Sequence, residues 1–246
     1  MSKTIILIPS RMSATRLPGK PLLKINNLPI ISHVFNKAKK TNIGDVFVCT
    51  EDKEIFDEVK KNGGEAILTS NSHKTGTDRI FEGLQKFDKK NIDYVINLQG
   101  DEPTIDENDV VNLNNLMIKN NSDIGTLAAE IENKEMLPNE NIVKVALKER
   151  LDKNKFLIAS DFKRKFIDKN YPYIYHHIGI YIYKTKVLEK LINLKQSKNE
   201  ITNRLEQLRA LDNNFKINVA LANSSPIGVD TMQDFMDIKK IMEYKS

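Results

Sequence analysis

The feature that most constrains this chain is a repeated pattern in its N-terminal half: a short unbroken apolar run, a polar loop, then apolar residues at helical spacing. Thr4-Ile-Ile-Leu-Ile-Pro9 has the length of a strand and no polar alternation, which suits a parallel strand covered on both faces. The run 30–38 spaces its apolar residues as a helix, and the pattern continues as strand 45–50, helix 52–61, strand 65–69, helix 79–87 and strand 93–98. Short helical crossovers between such strands predict an α/β fold with a mixed, mostly parallel central sheet and helices on both faces.

Beyond Asp106 the rhythm changes. Asp106 or Asn108 is placed to cap a helix running to Lys119. Strands are expected at 124–129 and 142–147, the segment 156–169 is ambiguous, and 174–183 alternates as an edge or antiparallel strand should. The chain then returns to a helix at 203–211, a strand at 216–220 and an amphipathic helix at 232–242 behind Asp230-Thr231. No repeat or low-complexity linker interrupts it. The expected organisation is therefore one domain over 1–246, with an inserted segment at roughly 130–200.

Composition narrows the function classes. With 246 residues, 40% of them hydrophobic and 29% charged, the chain can bury a core without staples, and disorder as the main state is excluded. No apolar run approaches the roughly 20 residues of a membrane helix, and the apolar stretch at 5–8 is far shorter than a signal-peptide core. No membrane partner is expected, and a cytoplasmic location is. The single cysteine, Cys49, has no partner for a disulfide and reads as a buried hydrophobe at a strand end. The 38 Lys and Arg against 33 Asp and Glu give a net charge of +5, but the excess lysines are scattered. Without a basic stripe interleaved with aromatics, no nucleic-acid partner is expected.

In open parallel sheets ligands bind at the carboxyl ends of the strands, so the residues just after each strand deserve the closest reading. After the first strand, Arg11, Arg16 and Lys20 place three cations on one loop shaped by Pro18 and Gly19, as a clamp for a triphosphate would. This is not a Walker loop, because Gly19-Lys20 is followed by Pro21, and no Gly-x-Gly-x-x-Gly occurs. After the fourth strand, Gln99-Gly-Asp-Glu-Pro103 offers a carboxylate suited to Mg²⁺, which takes one or two carboxylates and keeps waters and phosphate oxygens. Asp230 is a candidate second carboxylate, or equally an N-cap of the last helix. His73-Lys-Thr-Gly-Thr-Asp-Arg79 suits a small polar ligand or a base edge. His176 and His177 are adjacent in a strand, so they face opposite ways and cannot share a metal.

Taken in order, Ile8-Pro-Ser-Arg11 with Thr15-Arg-Leu-Pro-Gly-Lys-Pro-Leu22, Thr75-Gly-Thr-Asp-Arg79, Asn97-Leu-Gln-Gly-Asp-Glu-Pro103, His177-Ile-Gly-Ile-Tyr181, Leu205-Glu-Gln-Leu-Arg209 and Gly228-Val-Asp-Thr231 span nearly the whole chain. In this set and order the chain resembles the 3-deoxy-manno-octulosonate (Kdo) cytidylyltransferases, the CMP-Kdo synthetases. The resemblance implies a fold like that of nucleotide-diphospho-sugar transferases, a smaller dimerisation insertion and a homodimer. It also implies transfer of CMP from CTP to Kdo, which activates the sugar for lipopolysaccharide synthesis. Carried over, Arg11, Arg16 and Lys20 hold the CTP phosphates, Thr75, Gly76 and Thr77 lie by the cytidine, and Asp101 and Asp230 bind Mg²⁺. Lys20, Asp101 and Asp230 form the catalytic set. Arg79, Gln99, Arg164, His177, Tyr181, Glu206 and Gln207 face the sugar acid.

The chain departs from the family pattern where Ala14 replaces a serine and where Tyr-Phe-Ser-Arg becomes Asp161-Phe-Lys-Arg164. The second departure keeps open a related acidic sugar, such as an 8-amino analogue of Kdo. Two further alternatives are a glycosyltransferase, which would want an Asp-x-Asp motif that Asp101-Glu102 does not supply, and a non-catalytic nucleotide-binding regulator on the same fold.

Overall fold

Thr4–Ser10 (β1) lies between two parallel neighbours, which is why its apolar run carries no alternation. The computed structural model describes residues 2–13, 16–87, 91–131, 136–166, 171–226 and 228–244. Its contacts divide the chain into two units, 1–108 with 226–246, and 109–225.

In the first unit β1 is followed by a 3₁₀ turn, Lys20–Leu22, and a small hairpin of Lys24–Ile25 (β2) and Leu28–Pro29 (β3). Next come Ile30–Lys40 (α1), Gly44–Thr50 (β4), Lys53–Lys61 (α2), Ala66–Leu68 (β5), Gly76–Lys86 (α3) and Tyr94–Asn97 (β6). The strands run in the order β5-β4-β1-β6, all parallel. Ile5, Ile6, Leu7 and Ile8 are wholly buried, each contributing about 1.5–3 kcal/mol relative to an exposed position. In α1 the apolar side chains recur as Ile30, Ile31, Val34, Phe35 and Ala38, one buried face, while Lys37, Lys39 and Lys40 complement the C-terminal dipole. Cys49 is buried in β4, and burial pushes its thiol up to about 12, as an inert core residue requires.

The second unit contains most of Glu107–Asn120 (α4), which Asp106 caps by accepting the Asn108 N–H at 2.9 Å. There follow Ile124–Ala129 (β7), Lys144–Leu147 (β8), Leu157–Ile158 (β9), Asp161–Lys163 (β10), Tyr173–Lys184 (β11), Thr185–Ile192 (α5), Lys198–Asn203 (α6), Gln207–Asp212 (α7) and Ile217–Leu221 (β12). The ladder runs β10-β8-β11-β7-β12-β9, and only β7 and β12 are parallel. The segment expected as an insertion at 130–200 lies within this unit. Met232–Tyr244 (α8) belongs again to the first unit.

Two expectations about elements are corrected. The helix expected from Arg79 starts three residues earlier, at Gly76, because Thr75 caps it by accepting the Asp78 N–H at 3.1 Å. The helix expected at 203–211 is two short ones, broken at Arg204, whose left-handed φ of 53° ends α6. Strand β11 is antiparallel, one of the two arrangements expected of it. It pairs with β8 and β7, and Ile178, Ile180 and Ile182 are buried. Among the described residues no helix is long and apolar enough to cross a membrane.

Candidate active site

The carboxyl ends of β1 and β6 approach closely, and the sequence permits it. At Gly100 a Cβ would stand 2.9 Å from the Pro9 carbonyl oxygen, so only glycine lets the turn after β6 close against β1. On the other side of the site Gly19 adopts φ 74° and donates its N–H to the Met12 carbonyl at 3.0 Å, folding the basic loop back on itself. The Asp52 carboxylate accepts the Met12 N–H at 2.7 Å and so ties that loop to the end of β4.

These turns enclose a cavity of about 330 Å³ within the first unit. Arg11, Arg16, Lys20, Thr75, Gly76, Arg79, Gln99, Asp101 and Asp230, all expected at the site, line it. Thr77 does not; it is buried in the first turn of α3. Ala14, at which the chain departs from the family pattern, lies outside the described residues.

At the floor, Lys20 Nζ donates to Asp101 Oδ2 at 2.5 Å, to the Val229 carbonyl at 2.8 Å and to Asp230 Oδ1 at 3.3 Å. Arg16 reaches Asp230 Oδ2 at 2.8 Å. The main chain holds this arrangement: the Val229 N–H donates to the Asp101 carbonyl at 2.9 Å, and Leu17 and Val229 are buried in one cluster with Ile30, Phe235 and Ile238. Asp230 is not the N-cap of α8. Thr231 Oγ1 accepts the Asp234 N–H at 3.2 Å while Asp234 accepts from Thr231, a reciprocal cap that leaves the Asp230 carboxylate to the cations. Beside them Glu102 has a buried Oε2 with no hydrogen-bond partner among the described residues. Burial, with the nearby Asp101 and Asp230 charges, pushes its carboxyl up to about 8, so it is largely protonated at neutral pH.

Arg79 is only 3% exposed. Its guanidinium is in an ion pair with Glu51 and donates to Thr69 Oγ1 at 2.7 Å and the Ser70 carbonyl at 3.3 Å. His73, also on the cavity, pairs through Nε2 with Glu82. Burial opposes ionisation of Glu82, but hydrogen bonds from Lys86, His73 and the Ser70 N–H outweigh it and bring the carboxyl down to about 2. Glu51, Asp52 and Glu82 were not singled out from the sequence. Glu51-Asp52 directly follows a parallel strand, so the strand-end rule that selected Asp101 would have found them.

The remaining expected residues lie in the second unit. Opposing β11 faces carry the two histidines: His176 Nδ1 meets Ser225 Oγ at 2.5 Å, whereas His177 is buried against Thr126. The Thr126 hydroxyl gives its proton to the Ile180 carbonyl at 2.7 Å, so the His177 ring donates Nε2–H to Thr126 Oγ1 at 3.0 Å and keeps Nδ1 as an acceptor. A bulge between Ile178 and Tyr181 re-aims this stretch and brings the His177 and Tyr181 rings to 5.5 Å. Burial, then the neighbouring His176, lowers His177 to about 3, so it is neutral. Tyr181 is raised well above its ordinary value by burial, and its Oη has no hydrogen-bond partner among the described residues.

Glu206 and Gln207 open α7. The Arg164 guanidinium donates to the Glu140 carbonyl at 3.1 Å, and its own carbonyl accepts from Lys144 Nζ at 2.6 Å. The two departing residues beside it neutralise each other: Lys163 Nζ and Asp161 Oδ2 are 3.0 Å apart.

Chemically, the first unit offers cations and paired carboxylates suited to a nucleoside triphosphate, and the second offers the Arg164 guanidinium with the neutral His177 and Tyr181. The family model of the cytidylyltransferases matches residues 5–217. A 3-deoxy-manno-octulosonate cytidylyltransferase of Nitrobacter winogradskyi is 42% identical over 98% of this chain and 94% of its own length. One from Thermodesulfovibrio yellowstonii is 41% identical over 97% and 98%. The solved structure of a CMP:2-keto-3-deoxy-manno-octonic acid synthetase complexed with CTP superposes with a TM-score of 0.89 at 33% identity, over 100% of both chains. On the motifs, the cavity that gathers those of the first unit and this similarity along the full length, the chain belongs to the 3-deoxy-manno-octulosonate cytidylyltransferase family.

Proposed function

We propose that the chain transfers the cytidylyl group of CTP to 3-deoxy-manno-octulosonate, forming CMP-Kdo and releasing pyrophosphate. The observation that carries this reading is the convergence of Arg16 and Lys20 with Asp101 and Asp230 at the strand ends of one cavity. A sugar hydroxyl oxygen attacks the α-phosphorus as the bond to the pyrophosphate oxygen breaks, and the hydroxyl proton is lost to solvent. Negative charge grows on the leaving group, so the protein's main task is to hold and neutralise phosphate oxygens. Arg11, Arg16 and Lys20 do this, while Thr75 and Gly76 at the start of α3 form the cytidine side. In the second unit Arg164, His177, Tyr181, Glu206 and Gln207 take the sugar acid, Arg164 meeting its carboxylate and the neutral His177 its hydroxyls.

The donor set fits Mg²⁺. Asp101 and Asp230 come from separate loops yet both reach one cation, here the Lys20 ammonium, and hard carboxylate oxygens beside a phosphate site are what this ion takes. When bound there, Mg²⁺ would neutralise phosphate charge and orient the triphosphate. The Asp161–Lys163 pair cancels the charge that these departures add beside Arg164, which supports Kdo over an amino-substituted acid. We also infer a cytoplasmic homodimer from the family resemblance, which light scattering of the purified protein checks.

Pyrophosphate release tests the whole reading. It should require CTP, Mg²⁺ and Kdo together, and an 8-amino analogue of Kdo at the same concentration should react more slowly. CTP binding without turnover would instead favour a regulator.

A further inference from the structure

The ends of β1 and β4 are in register, Ser10 opposite Thr50, so the residues that leave the two strands, Arg11-Met12 and Glu51-Asp52, emerge side by side. The buried Thr50 hydroxyl accepts the Asp52 N–H at 3.1 Å and fixes where Asp52 stands. By position Asp52 is the N-cap of α2: its backbone is extended, with φ −90° and ψ 117°, and its carbonyl accepts the Phe56 N–H at 3.1 Å. An aspartate there ordinarily turns its carboxylate onto the free N–H groups of the first helical turn. Asp52 makes no such bond. Its Oδ2 accepts instead the Met12 N–H at 2.7 Å, from a residue 40 positions away in the chain. The Met12 carbonyl is taken too, by the Gly19 N–H at 3.0 Å, so both main-chain polar groups of this one residue are pinned. Met12 is therefore the pivot of the basic loop, with Arg11 before it and Arg16 and Lys20 on the arm that returns to it.

We infer that Asp52 is a positioning residue for the nucleotide: its carboxylate is withheld from its own helix to hold Met12, and so sets where Arg11, Arg16 and Lys20 meet the phosphates. This rests on reading the cavity that those three cations line as the CTP site. Asp52 acts through the main chain of the loop. Three cations gathered on one short loop repel one another. A hydrogen bond from a main-chain N–H to a carboxylate, stronger than one between neutral groups, holds them converged before the ligand arrives, so that less of the binding energy goes into ordering the loop.

The test compares Asp52→Ala, Asp52→Ser and Asp52→Asn by CTP binding in a calorimeter and by steady-state kinetics with CTP and Kdo varied separately. Asp52→Ala should weaken CTP binding and raise the CTP KM about tenfold, since displaced binding groups cost affinity out of proportion to the shift. The Kdo KM should change less than about twofold. Serine is as good an N-cap as aspartate, but its hydroxyl is one bond too short to reach Met12, so Asp52→Ser should bind CTP as poorly as Asp52→Ala. Asp52→Asn keeps an oxygen at the same reach and should stay within about threefold of wild type, the difference between a charged and a neutral acceptor. If serine restores the CTP KM, Asp52 is a helix cap and the inference fails. It fails equally if asparagine is as damaging as alanine, because the charge and not the bond to Met12 then matters, or if the KM values for CTP and Kdo rise together. Should Asp52→Ala not fold, Asp52→Ser, which keeps a cap on α2, carries the comparison with Asp52→Asn. A wild-type protein that does not bind CTP sinks the functional reading itself, whereas wild-type binding matched by all three variants sinks only the role of Asp52.

Discussion

Each unit holds a lysine in its interior, and the two are held in opposite ways. In the first unit Lys20 lies between carboxylates that are themselves partly open to solvent, Asp101 and Asp230. In the second, Lys144 is wholly buried and donates to two main-chain carbonyls, those of Asn139 at 2.5 Å and Arg164 at 2.6 Å. Burial, reinforced by Arg164, lowers the Lys144 ammonium from its ordinary value. An ammonium among half-exposed carboxylates can exchange partners when a polyanion and a metal arrive. One fixed to carbonyls fastens two loops and is not free to move. The same contrast separates the buried arginine pairs: Arg79–Glu51 borders the cavity, whereas Arg209 and Glu200 close a two-pronged pair at 2.8 and 2.6 Å inside the α6–α7 hairpin. Charge at Lys20 is arranged to meet a ligand, and charge at Lys144 and in the Arg209–Glu200 pair to hold a shape.

The sharpest way to break this contrast is Asp101→Asn. It should lower kcat by about a thousandfold or more, about 4 kcal/mol of transition-state stabilisation, with the melting temperature little changed. Turnover near the wild-type rate would end the metal role. Removing one member of the shape-holding pair should do the reverse: Arg209→Met leaves Glu200 buried without its cation and should cost about 3 kcal/mol of stability in urea unfolding. Activity per folded molecule should persist. The two lysines sharpen the comparison further. Lys20→Met should raise the CTP KM by about thirtyfold, or 2 kcal/mol, at little cost in stability because solvent screens the carboxylates it leaves. Lys144→Met should cost about 1–3 kcal/mol of stability by leaving two carbonyls unpaired, with the CTP KM unchanged.

The last effect is one of pH and concerns His177. Its folded pKa, about 3, lies below the ordinary 6.5, so the unfolded chain binds a proton the folded one does not. Stability should therefore fall as pH drops below 6.5, by at most about 1.4 kcal/mol per pH unit for this one proton, and His177→Asn should flatten that slope. Proton NMR of the His177 ring should show no titration between pH 5 and 8; a midpoint in that range would contradict its burial.

Much of the first unit was legible in the sequence. Apolar runs such as 4–9 identify parallel strands because both faces of such strands are covered, and strand-end residues mark the site because parallel strands all open at one end. That rule located Arg11, Arg16, Lys20, Gln99 and Asp101. Less was legible in the second unit, where short antiparallel strands such as β9 and β10 carry too few residues to show a period. The Arg204 break was hidden too, since nothing in an Asn-Arg-Leu stretch announces a left-handed residue.

By itself the sequence determined the α/β class, the order of the strands and helices in the first unit, and the family, because periodicity and motif order are properties of the chain read in one dimension. Only the tertiary structure decided which partners the charges take. It gave Asp230 to Lys20 and Arg16, with the helix cap going to Thr231, and it set Arg79 against Glu51 and left His177 neutral against Thr126. The reason is physical: a side chain's charge state and hydrogen bonds depend on groups brought near from distant parts of the chain and on the water excluded between them. Neither exists until the strands have paired.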